Sequence, residues 1–147
     1  MKETHRVFNA ARGHLKGEAM LYWRIFFGVA ALNNLIIGGL MLFGADQTAA
    51  RIGVNGPAAG YIVGFGGLLV AIFGVAYALV AYRPLPNRNL VAIGALGKAC
   101  AVALASWHAL AGHISQSAYQ LAMVDLIFVL IFCVFLAQTR NAAGATP

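Results

Sequence analysis

Residues 58–82 read AAGYIVGFGGLLVAIFGVAYALVAY, a run of twenty-five residues without one charged side chain. About 20 apolar residues suffice to carry a helix across a ~30 Å hydrocarbon core. Backbone amides find no water there, so a segment this long must satisfy its own hydrogen bonds and is predicted to be a helix rather than a strand. Within it Gly60, Gly64, Gly67, Ala71, Gly74 and Ala78 recur at a 4-3-4-3-4 spacing and fall on one seam. Small residues there let two helix backbones approach, and close van der Waals contact is what joins helices in lipid. Leu69, Ile72, Phe73 and Leu79 fall on the opposite face and are expected to meet lipid or a partner.

Three similar runs surround this one, at 21–43, 90–111 and 118–137. The expected fold is therefore all-α, an integral membrane four-helix bundle over 21–140. The Arg83-Pro84-Leu85-Pro86-Asn87-Arg88 stretch holds two prolines that cannot continue a helix, which forces a tight reversal between antiparallel neighbours. The connection from Gly112 to Ser117 is equally short. The first connection, 44–57, is longer and is predicted to hold one amphipathic turn around Ala49 to Val54.

Composition agrees with this reading. Hydrophobic residues make up 61% of the 147 residues and charged residues 10%, far from the balance of a water-soluble domain. The formal charge of +6 does not indicate nucleic acid, because the basic residues flank apolar runs instead of forming a patch. Cys100 and Cys133 stand alone in separate spans, without the two-residue spacing of a redox or zinc motif, and read as small packing groups. No secretory or lipidation signal is apparent in the polar first twenty residues.

Those residues, 1–20, place Phe8, Ala11 and Leu15 at helical spacing, with Arg6, Arg12 and Lys16 free to meet anionic headgroups. An amphipathic interfacial helix is the expectation, with a disordered basic tail as its alternative. Residues 141–147 read as disordered tail. Lys2, Arg6, Arg12, Lys16, Arg24, Arg83, Arg88 and Arg140 fall on one side of the bundle and only Arg51 on the other, so both termini are expected to face the cytoplasm. Tyr22, Trp23, Tyr61, Tyr82, Trp107 and Tyr119 lie near span ends, where amphipathic rings favour the interface.

The chemistry sits mid-span. A charged side chain at the bilayer centre costs about 2.5 to 3.5 kcal/mol on insertion scales, which makes Lys98 and Asp125 the foremost site candidates. Lys98 and His108 share a small-residue line with Gly94, Ala101, Ala105 and Gly112, and so are expected to point into the bundle. Counted down from the 112–117 loop, Lys98 and Asp125 differ by roughly 9 Å in depth, and their side chains lean apart. Asp125 with His108 is then the expected pair. Asn34 and Asn33 offer hydrogen bonds from the first span, giving a ladder Lys98, Asn34, Asp125, His108. Such a ladder either binds a ligand or a proton, or fixes helix register through mutual hydrogen bonds. His108 and His113 are five apart, off a common helical face, so no metal site is assigned, and no catalytic motif is present.

Several of these features together resemble the DoxX-like small four-helix bacterial membrane proteins. They are the Gly-rich second span with Tyr77 and Tyr82, Arg83-Pro84, Asn87-Arg88, Gly94-Ala95-Leu96-Gly97-Lys98, and Asp125 followed by Phe128, Phe132, Phe135-Leu136 and Arg140. The resemblance covers roughly residues 20–140. It implies a bundle in the bacterial inner membrane, in a group that includes subunits associated with quinone-linked redox chemistry. This chain carries no thiol pair or haem-ligand arrangement with which to move electrons itself. The leading expectation is a non-catalytic accessory subunit of a larger membrane complex, or a binder of a lipid-like or quinone-like ligand, in contact with membrane lipid and without nucleic acid. A small transporter or proton pathway, in a homo-oligomer, and a lipid-directed membrane enzyme using Asp125 and His108 are the alternatives. No cofactor is assigned.

Overall fold

The computed structural model describes residues 2–140, with side chains described from Glu18 to Arg140. The described residues form five helices and no strand: α1 (Lys2–Phe43), α2 (Ala45–Ile52), α3 (Ala59–Tyr82), α4 (Arg88–Leu110) and α5 (Gln116–Gln138). Four stretches are long and apolar enough to cross a membrane, Glu18–Phe43, Ala59–Tyr82, Arg88–Leu110 and Gln116–Gln138. The last three match the spans expected from hydropathy to within two residues at each end, and the first ends at Phe43 as expected.

Helix α1 passes position 20 without a break. The Glu18-Ala19-Met20-Leu21 junction holds strong helix formers and no proline, so nothing locally ends the helix there. The apolar face expected at Phe8, Ala11 and Leu15, with its basic flank, lies outside the described side chains, and the tail 141–147 lies outside the described residues.

The turn expected around Ala49 to Val54 is instead the two-turn helix α2, starting four residues earlier. Asp46 in its first turn suits the positive end of the helix dipole. Gly53 ends it in the left-handed region at φ 79°, where Val54 N–H reaches back to Ala49 O at 2.9 Å and Gly53 N–H to Ala50 O at 3.4 Å.

The bundle is two close helix pairs joined by aromatic rings. Helix α1 packs principally on α3, and α4 on α5. In the first pair the backbones touch: a Cβ at Gly38 would stand 2.6 Å from Ala71 N and 2.7 Å from Gly67 O, and a Cβ at Gly67 2.7 Å from Leu42 N. Gly74 meets the Leu35 side chain in the same way. The predicted seam thus holds at Gly67 and Gly74. At Gly64 the nearest atom is Ala45 Cβ at ordinary contact distance, and Gly60 abuts only the Asp46 side chain.

Between the pairs, Trp23, Phe26 and Phe27 of α1 interleave with Phe128, Phe132 and Phe135 of α5 at centroid separations of 5.1–6.1 Å, with Tyr77 of α3 against Phe132 at 5.2 Å. Phe27, Tyr77, Val80, Val91, Phe132 and Phe135 are fully buried in this core. Phe73, expected on the lipid side, turns inward toward Tyr77 at 6.1 Å, whereas Leu69, Ile72 and Leu79 are exposed as expected. So are Val29, Leu32, Leu40, Ile93, Leu96, Ile127 and Leu130, an outward apolar coat far beyond what a monomer in water tolerates.

Both short reversals are closed by side chains. Asn87 Nδ2 donates to Leu79 O at 2.9 Å and Arg83 O at 3.0 Å, capping the carbonyl end of α3. Ser115 Oγ accepts from Ala118 N–H at 3.2 Å and caps the start of α5.

Candidate functional site

Polar contacts tie α4 to α5 at two levels and close the loop between them at a third. At one end Arg88, the first residue of α4, donates through its guanidinium to Leu136 O at 2.7 Å and to Thr139 Oγ1 at 3.0 Å. A cation is favourable there, because the last carbonyls of a helix lack intrahelical partners and carry the negative end of its dipole. Thr139, itself buried, donates a hydrogen bond from its hydroxyl to Phe135 O at 2.7 Å.

Mid-helix, Lys98 Nζ lies 2.5 Å from Asp125 Oδ1 and 5.0 Å from the centroid of the Phe128 ring. The Lys98 side chain is 11% exposed and that of Asp125 32%. This corrects the pairing expected from the sequence, in which Asp125 meets His108. The depth count from the 112–117 loop assumed that both ends of that loop sit at one level. The contact that actually sets the register is Arg88 on Leu136: Lys98 lies ten residues from the first and Asp125 eleven from the second, a difference of roughly 1.5 Å along the axis. The four-carbon lysine stem absorbs the opposed lean of the two side chains.

His108 pairs with its own loop. Gly112 at φ 72° ends α4, Gly112 N–H bonds Ala109 O at 3.0 Å, and His113 N–H bonds His108 O at 2.9 Å. These two bonds define a Schellman motif, which folds His113 back over the last turn. The imidazoles then face each other, with Nδ1 to Nδ1 3.3 Å apart. Five-residue spacing excludes a shared face only while the helix continues, and here it does not.

Asn34, buried, makes a long 3.5 Å contact from Nδ2 to Val70 O and thereby links α1 to α3. It makes no bond to Asp125, so the ladder expected from the sequence does not form. Asn33, Asn34, Lys98 and Asp125 nevertheless share the wall of one cavity of about 530 Å³, with Phe73, Tyr77, Leu121 and Ile52 among its apolar lining. The volume lies within the range of small-molecule sites, and the mix of apolar wall and few polar groups is their usual composition. Gly94 and Gly97 give the cavity its α4 side. A Cβ at Gly94 would stand 2.5 Å from Tyr77 Oη, so this glycine is what lets the tyrosine ring lie between α3 and α4.

Tyr77 is the residue that sequence reasoning missed as part of the site. Its hydroxyl is enclosed and has no hydrogen-bond partner among the described residues. An unmet buried hydroxyl costs about 1 to 3 kcal/mol, so packing alone does not account for tyrosine over phenylalanine there. The only signal was a tyrosine seventeen residues from Gly94, in a different span, and nothing in one sequence links the two.

Compared with known proteins, the chain matches no family model, no curated protein and no solved structure at a significant level.

Proposed function

We propose that this chain is a multi-pass protein of a bacterial inner membrane, with both termini cytoplasmic, that binds a lipid-like or quinone-like molecule in the cavity beside Lys98 and Asp125. The observation that carries the reading is the ion pair in the wall of an otherwise apolar cavity about 530 Å³ in volume. Two opposite charges side by side leave the site neutral, so a charged headgroup would strand an uncompensated charge in a poorly solvated place. The pair also presents both ammonium donors and a carboxylate acceptor. A neutral head able to donate and accept, carried on an apolar body, is the chemistry that fits. Asn33 and Asn34 extend the polar side of the wall, and Phe73 and Leu121 suit the apolar body.

The distribution of basic residues supports the orientation: Arg24, Arg83, Arg88 and Arg140 gather at one end of the bundle and Arg51 at the other. The proton-pathway alternative gains nothing from the geometry, because His108 is engaged with His113 rather than with Asp125. The DoxX-like resemblance of the Lys98 and Asp125 positions is compatible with the proposal.

The test is gentle extraction into nanodiscs followed by native mass spectrometry of the wild type and of the Lys98→Met/Asp125→Leu double variant. The wild type is expected to retain a stoichiometric neutral amphipathic molecule that the double variant loses while keeping its helical circular dichroism. Identical small-molecule complements in the two proteins contradict the proposal. A stoichiometric protein companion with no small molecule would move the chain to the accessory-subunit class.

A further inference from the structure

Tyr77 packs as a phenylalanine would, its ring centroid 5.2 Å from that of Phe132 and 6.1 Å from that of Phe73. Yet it carries a hydroxyl that is enclosed and has no hydrogen-bond partner among the described residues, and an unmet buried polar group calls for a reason. We infer that this hydroxyl donates a hydrogen bond to the molecule held in the cavity, and that the molecule carries a carbonyl oxygen at the inner end of its head. The inference rests on the ligand-binding reading above and narrows the ligand's chemistry.

The cavity lining runs from Ile52 and Ala118, beside the loops that follow α2 and precede α5, to Tyr77 and Gly94 deeper in the bundle. Two observations put the phenol beside the ion pair. Lys98 follows Gly94 by one turn of α4, and its side chain leans toward the start of that helix, over Gly94 and the tyrosine. On α5, Tyr77 rests against Phe132 and Lys98 against Phe128, rings one turn apart with centroids separated by 6.2 Å. The flexible lysine stem is therefore the neighbour able to give way and admit a head to the enclosed hydroxyl. No acceptor bonds the phenol oxygen, so a ligand hydroxyl placed there would bring a second proton to a spot without a second acceptor. A carbonyl oxygen accepts the bond and brings none. The ring ketone of a quinone-like head and the ester of a lipid share this chemistry.

The experiment uses the full chain in nanodiscs with decanophenone and monodecanoylglycerol, each ¹³C-labelled at its carbonyl, and with decylbenzene, which has no acceptor oxygen and is read by its competition with the labelled ketone. Carbonyl ¹³C NMR reports a hydrogen bond as a downfield shift from the lipid-dissolved probe, and titration gives the affinity. The wild type is expected to bind a labelled probe with its carbonyl shifted downfield, the ketone if the source is a ring and the ester if it is a lipid, and to bind decylbenzene at least about threefold more weakly. In Tyr77→Phe the shift is expected to vanish and affinity to fall about three- to tenfold, the range of one neutral hydrogen bond. The probe-free Tyr77→Phe chain is expected to unfold at the same temperature as the wild type or higher, since an unmet hydroxyl has gone, which a purely structural role for that hydroxyl would not give. Lys98→Met/Asp125→Leu separates this inference from the reading beneath it. Probe binding lost there but unchanged in Tyr77→Phe overturns the inference and leaves the cavity reading standing. Equal binding by all three proteins overturns both, and failure of the wild type to bind either carbonyl probe overturns the inference.

Discussion

The α1/α3 and α4/α5 pairs solve the same problem by different means. In α1/α3, glycines at 38 and 67 bring backbone against backbone, and a polar tether is the long contact from Asn34 to Val70 O. In α4/α5 no such glycine contact occurs; Arg88 holds Leu136 and Thr139 at one end and Lys98 holds Asp125 in the middle. Where lipid supplies no hydrophobic drive between helices, close contact and interhelical hydrogen bonds are the two available attractions, and this molecule assigns one to each pair. Where Gly38 and Gly67 meet, the backbones leave no space between them. The polar pair, resting on side chains rather than on backbone contact, borders the cavity.

The largest effect is expected at the glycine seam. Gly67→Leu is expected to cost about 3 kcal/mol, the top of the overpacking range, because its new side chain meets Leu42 and Gly38 backbone that cannot move aside. Gly28→Ala, with open space around it, serves as the control and is expected to be neutral or mildly stabilising. Unfolding by steric trapping in bicelles measures both. Equal costs at the two positions would mean that close backbone approach at Gly67 is not what holds α1 against α3.

Next in size is Lys98→Met, expected to cost about 2 kcal/mol by leaving Asp125 without its partner, a value reduced from that of a fully buried pair because Asp125 is partly exposed. Adding Asp125→Leu is expected to recover most of that loss, since two apolar groups replace two charges. A double variant no more stable than Lys98→Met would mean that the charges do not compensate each other. Arg88→Ala follows at about 1.5 kcal/mol through loss of charge-assisted bonds to the end of α5, read in the same assay. Asn34→Leu closes the series at about 0.5 kcal/mol, as befits a 3.5 Å contact.

What the sequence disclosed follows the same division. The four long apolar helices were legible because runs of about twenty apolar residues satisfy their backbone amides best as helices, and Gly67 and Gly74 because small residues at helical spacing let backbones approach. Gly38, in the first span, completes the seam but was passed over among the apolar residues around it. Lys98, Asp125, Asn33 and Asn34, which line one cavity, were legible as a polar set, since each is costly at mid-span without a partner. Their pairing was not, because the relative height of α4 and α5 is set by a contact of Arg88 that only the folded chain displays. The facing of His108 and His113 was hidden behind a spacing rule that Gly112 suspends, and Gly112 itself was the available clue. Tyr77 depends on a gap left by Gly94 in another helix, a relation between spans that one sequence does not encode.

The most direct test of the polar pairing is a solid-state NMR distance between ¹⁵N at Lys98 Nζ and ¹³C at Asp125 Cγ, measured by rotational-echo dephasing on the wild-type chain in lipid bilayers. The account predicts strong dephasing, at a separation of about 3 to 4 Å, abolished by Asp125→Asn only as far as the charge-assisted contact loosens. Absence of dephasing in the wild type, with the helices intact, would contradict the pairing and with it the neutral polar wall on which the proposed ligand chemistry rests.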